Sequence, residues 1–136
     1  MNETFDIVLL LALPASGKSE VRRFMANIEP ERLKKEFHIG ANLQLDDFPY
    51  VHMMRRADDE LAKLGKPRLF FKAGDKPFQN TYDWGTLIHL LNEDYYDLMK
   101  KNVVKAASAA DLLLRRIDKA GEKAKIAPRL AKLDKA

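Results

Sequence analysis

Two short runs in this chain carry residues suited to phosphate chemistry: Gly17-Lys18-Ser19 and Asp46-Asp47. In the first, a glycine lets the main chain approach an anion without a Cβ in the way. Lys18 has the reach and charge for the β- and γ-phosphates of a nucleotide, and the Ser19 hydroxyl suits Mg²⁺. In the second, a carboxylate can accept the proton of a substrate hydroxyl or hold Mg²⁺ through water. Asp46 is assigned the acceptor side, and Asp47 the metal side or a helix cap.

Both runs need elements to position them. The apolar run Ile7–Leu13 leads through Pro14-Ala15-Ser16 into Gly17-Lys18-Ser19. Val21, Phe24, Met25 and Ile28 then follow at helical spacing. Buried strand, tight turn and helix start form the order of a phosphate-binding loop, with turn amides and the positive helix end aimed at one point. Ala15 to Glu20 is thus the expected nucleotide-binding segment, with Ser19 and Asp47 as metal ligands and Lys18 and Asp46 as the catalytic pair. Ala12 and Ala15 stand where glycines are common, so the turn at Pro14-Ala15 is expected to use dihedrals open to a Cβ. Leu43 and Leu45 alternate with Asn42 and Gln44, which predicts a second strand ending at Asp46, parallel to the first. In such a sheet Asp46 lies at the same carboxyl edge as Lys18.

Further along, the spacing predicts a helix over Pro49–Leu64, a brief strand at Arg68–Lys72, and a helix opening at Asp83 as N-cap with Leu87, Leu91, Tyr95 and Leu98 inward. Val103 to Ile117 continues a helical stripe after a break near Lys101-Asn102, with Gly121 as C-cap. The Arg55-Arg56 pair reads as a solvated face balanced by Asp58, Asp59 and Glu60, and His52 as a structural or surface residue. Tyr82 and Trp84 read first as aromatics that staple a helix to the core, with stacking on a base or sugar ring as the alternative. No internal repeat is found.

Composition narrows the rest. The chain has 136 residues, 46% apolar and 32% charged, with no cysteine. Disulfides and thiolate metal sites are excluded, and a cytoplasmic home is expected. No apolar run approaches the ~20 residues of a membrane helix. The segment before Ile7 carries Glu3 and Asp6 and no Lys or Arg, which argues against a secretory signal. The net charge of +4 is uneven: residues 100–136 hold 11 Lys+Arg against 4 Asp+Glu. With no aromatic interleaved among them, those tail charges read as a solvated helix face.

Ala12–Ser19 (ALPASGKS) and Leu45–Phe48 (LDDF) resemble the P-loop small-molecule kinases, of the uridine and nicotinamide-riboside kinase type or the zeta-toxin and polynucleotide-kinase type. Tyr82-Asp83-Trp84 loosely resembles their acceptor-site helix. The resemblance implies an α/β fold with a parallel sheet, Lys18 and Ser19 on ATP-Mg²⁺, and Asp46 on the acceptor. Residues 1–82 are expected to form the nucleotide-binding core and 83–136 a helical insertion or lid with a basic tail. No apolar strand ending in an acidic Walker B residue is found, and the later strands are missing. The chain is therefore expected to be an N-terminal portion of a longer kinase. The expected function is phosphoryl transfer from Mg-ATP to a hydroxyl of a small metabolite or nucleoside-like acceptor. The alternative is a non-catalytic nucleotide-binding module whose basic tail holds nucleic acid or a protein.

Overall fold

The computed structural model describes residues 3–11, 13, 15–131 and 133. Five helices follow one another among these residues: α1 (Lys18–Asn27), α2 (Pro30–Phe37), α3 (Phe48–Lys63), α4 (Asp83–Lys100) and α5 (Ala109–Lys123). The only β pairing among them is an isolated antiparallel bridge between Phe71 and Phe78. The expected α/β parallel sheet is therefore not formed. Ile7–Leu11 is irregular, and among the described residues its backbone groups make no hydrogen bond. Leu43–Asp46 is likewise irregular. A strand exists only through its neighbours, and no described segment supplies the ladder that the apolar run requires.

The chain divides into two compact units, residues 1–44 and 45–136. In the first, α1 ends at Asn27 and Pro30 opens α2, its missing N–H matching the first helical position. His38, in the left-handed conformation, ends α2. The Phe5 N–H donates to the His38 carbonyl at 2.8 Å, and Phe24 meets Phe37 edge to face. Leu33 is the sole buried apolar residue here among those described. The chain before α1 exposes its apolar side chains, Ile7 at 73% and Leu11 at 81%.

The second unit has a real core. Tyr50 and Met54 of α3, Leu87 and Leu90 of α4, and Ile117 and Ala120 of α5 close around Phe70, Phe71, Phe78 and Leu130. α5 packs against both α3 and α4. The predicted helices over 49–64 and from 83 onward form, whereas 103–108 is not helical and α5 begins one residue after Ser108. The Ser108 hydroxyl accepts from the Asp111 N–H at 3.3 Å as its N-cap.

α3 and α5 end in the same way, sixty residues apart. Leu64, Gly65 and Lys66 donate to Glu60, Ala62 and Leu61; Ala124, Lys125 and Ile126 donate to Ala120, Glu122 and Gly121. Both are Schellman-type ends, with Gly65 (φ 68°) and Lys125 (φ 66°) left-handed. Gly121 is thus inside α5 and not its cap. The chain then turns back over its own helix. Asp58, fully buried, accepts from the N–H groups of Leu69, Phe70 and Phe71 at 2.7–3.2 Å. Asp118 accepts from Arg129, Leu130 and Ala131 at 2.8–3.1 Å. The second unit holds a structural repeat that the sequence hides.

Candidate phosphate site and the polar network of the second unit

The segment Ala15–Glu20 lies in the first unit. Ala15 has φ 60° and Gly17 φ 92°, so the backbone enters the left-handed region at both residues around the turn. At Ala15 this differs from the expectation of dihedrals open to a Cβ; a side chain tolerates the conformation only at a cost. The Ser16 hydroxyl donates to the Leu13 carbonyl at 2.5 Å, and its N–H reaches the same oxygen at 3.3 Å. Lys18 Nζ folds back to that oxygen at 3.4 Å. Gly17 is the N-cap of α1, and Lys18, Ser19 and Glu20 form its first turn. Glu20 pairs with Arg23 at 3.4 Å. The Pro14 and Ala12 positions of the motif lie outside the described residues.

Asp46 and Asp47 lie in the second unit, where they start α3. Asp46 Oδ1 accepts from the Phe48 N–H at 2.9 Å, and Asp47 is the N-cap residue, without a side-chain cap hydrogen bond. The first contact is turn chemistry. Among the described residues, no group of three or more His, Asp or Glu side chains is arranged to hold a metal ion.

A hollow of about 540 Å³ lies between α1 and α2, floored by Phe24 and Ile28. Its arginines face their own carboxylates, Arg23 to Glu20 and Arg32 to Glu36 at 3.0 Å. Its charge is balanced from within, which leaves it no preference for an anion.

The acidic and basic residues that look functional in the second half are mostly structural. Asp83, expected as an N-cap, is the first residue of α4 and fully buried. Arg129 grips it with two nitrogens at 2.9 and 2.6 Å, donates to the Leu69 carbonyl at 3.1 Å and lies over the Phe70 ring at 4.3 Å. Thr86 Oγ1 lies 3.3 Å from the same carboxylate. Arg116 is ringed by Glu93, Asp94 and Asp97, and the Tyr50 hydroxyl donates to Asp94 at 2.7 Å. Burial first, and the neighbouring Asp94 second, push the Tyr50 phenol well above its ordinary range. Hydrogen bonds from Arg116 and then Asn102 hold Asp97 below the usual carboxylate range. Arg55 lies over the Phe71 ring at 3.9 Å and donates to the Gly74 carbonyl at 2.6 Å, so it is not part of a solvated pair. The spacing of Asp58 with Met54 and Leu61 already placed it on the inner face; its charge drew the opposite reading.

No protein-family model, curated protein or solved structure matches this chain. With five helices and no sheet among the described residues, the resemblance to P-loop kinases is overturned, because the helices lack the parallel strands on which that family hangs its loop.

Proposed function

We propose that the chain binds the phosphate chain of a nucleotide, ATP with Mg²⁺, at Ala15–Glu20. The observation that supports this is the left-handed backbone at Ala15 and Gly17 running directly into Lys18 and Ser19 of the first turn of α1. A turn of that kind, followed by a helix start, presents N–H groups and a partial positive charge to an anion. Lys18 adds a full charge. Mg²⁺ takes oxygen ligands and keeps most of its waters when phosphates share it, so the Ser19 hydroxyl is a sufficient protein contribution. This is the binding reading of the sequence, and it needs no sheet.

Calorimetric titration of the full chain with ATP and MgCl₂ tests it. Saturable one-to-one binding is expected, weakened at least about tenfold, or ~1.4 kcal/mol, in Lys18→Ala. Ser19→Ala is expected to weaken Mg-ATP more than ATP in EDTA. Binding that Lys18→Ala leaves intact would remove the site.

A further inference from the structure

The basic charge of residues 100–136 is reorganised by folding. Arg116 and Arg129 turn inward to carboxylates, so they add nothing to the surface field. On the outer side of α5 remain Arg115, Lys119 and Lys123, each exposed, at i, i+4 and i+8, with Lys125 just past the helix end. The side chains of Lys119, Lys123 and Lys125 make no ion pair or hydrogen bond among the described residues, and the Arg115 side chain reaches only the Asp111 carbonyl at 3.4 Å. Two carboxylates share this side, Asp111 at the far end and Glu122 next to Lys123, so the row keeps a surplus of two positive charges.

The row ends in a cleft of about 260 Å³ lined by Thr81, Tyr82, Gly85, Lys123, Ala124 and Lys125. A Cβ on Gly85 would lie 3.3 Å from that of Ala124, so glycine there permits the close approach of α4 and α5 at the cleft. No acidic residue lines it. Tyr82 is 61% exposed at its mouth, with Trp84 also largely exposed two residues on. In sequence the tail charges have no aromatic among them. In the fold, a tyrosine about forty residues away stands beside Lys123 and Lys125.

We infer that this surface binds single-stranded nucleic acid: Lys123 and Lys125 hold one phosphate in the cleft, a base stacks on Tyr82, and Lys119 and Arg115 follow the backbone along α5. Successive basic residues on that row rise about 6 Å along the helix, a step comparable with that between phosphates of an extended strand. A positive track with an aromatic platform is the recognition mode of sequence-tolerant single-strand binders. It lies in the second unit and is independent of the nucleotide site proposed for the first.

The test is anisotropy of a fluorescein-labelled oligothymidine of about twelve nucleotides, within the usual site size, titrated with the full chain. Binding is expected to weaken with salt, with a slope near 0.7 per phosphate contacted, or roughly 2–3 for three to four contacts. Lys123→Glu/Lys125→Glu should raise Kd at least about tenfold, Tyr82→Ala about tenfold, and Arg115→Glu a smaller amount. All four side chains are exposed, so unchanged circular-dichroism melting confirms that each variant folds. Lys18→Ala should leave this binding untouched. A duplex of the same length bound as tightly as the single strand, or a Kd that the double lysine variant does not move, overturns the inference.

Discussion

The two units of this chain use charge in opposite ways. In residues 1–44 the ion pairs Arg23–Glu20, Arg32–Glu36 and Lys34–Glu3 all lie on the surface, and Leu33 alone is buried among the described apolar residues. In residues 45–136, Arg129 and Arg116 are largely withdrawn from water, each held by carboxylates, and twelve of the described apolar residues are buried. A buried charge is tolerated only when its partners are fixed, so the second unit is pinned by buried polar groups, and among the described residues the first unit has none. The ion pairs of the first unit stay at the surface, where each adds little to stability.

The largest expected effect breaks the strongest of those pins. Arg129→Met leaves Asp83 buried and uncompensated, and should cost about 3–5 kcal/mol. Adding Asp83→Leu should recover much of the loss, because two apolar groups replace two ions. Trp84, the single tryptophan, lies in the second unit in edge contact with Phe78, so its fluorescence during urea unfolding reports this unit. An Arg129→Met midpoint equal to the parent's would mean the pair contributes nothing.

Next come the two carboxylates of the repeat. Asp58→Ala strands three backbone N–H groups, and a loss of roughly 2–4 kcal/mol is expected. Asp118→Ala should lose less, since Asp118 is slightly exposed and two of its three donors are only part-buried. Equal effects from an exposed control, Asp75→Ala, would deny the two carboxylates their role.

These same residues show how far the chain could be read. The stripes Val21–Ile28, Met54–Leu61 and Leu87–Leu98 predict helices because helical burial is written locally, at i, i+3 and i+4. The run Ile7–Leu13 predicts a strand with equal local force, yet pairing is not a local property and no ladder forms among the described residues. The repeat escapes because Pro67-Arg68-Leu69 and Pro128-Arg129-Leu130 are offset by 61 residues while Asp58 and Asp118 are offset by 60. One residue of drift aligns the words and misaligns the hydrogen bonds. Arg68 and Arg129 accordingly take different partners, Asp59 and Asp83. Of the candidate site, the turn at Gly17 and the helix start at Lys18 were legible. The cleft at Tyr82 was not, since its aromatic and its lysines come from separate elements.

A smaller effect is expected at Tyr50. Its phenol is shifted above the ordinary value of about 10. Above that pH the unfolded chain has lost a proton that the folded chain still holds, so stability falls as pH rises toward the folded value. Tyr50→Phe should cost about 1 kcal/mol at neutral pH through the lost bond to Asp94, and should flatten that alkaline decline. A slope above pH 10 equally steep in the variant would assign it elsewhere.

The smallest effect belongs to the first unit and sharpens the contrast. Glu3 and Lys34 meet at 2.8 Å in full solvent; their hydrogen bond and mutual charge lower the Glu3 carboxyl and raise the Lys34 amine. For Glu3, the contribution is present above the ordinary carboxylate range and is lost as pH falls through its lowered value. For Lys34, it is present below the ordinary amine value and is lost as pH rises through its raised one. Exposed pairs are screened over about 10 Å at 0.1 M salt, so this one should fade in 1 M NaCl while the Arg129–Asp83 contact persists. An NMR titration of the Glu3 side chain reads it directly: Lys34→Gln and high salt should each return the midpoint to about 4.3. A midpoint still depressed in Lys34→Gln would mean that a group other than the lysine sets the carboxyl.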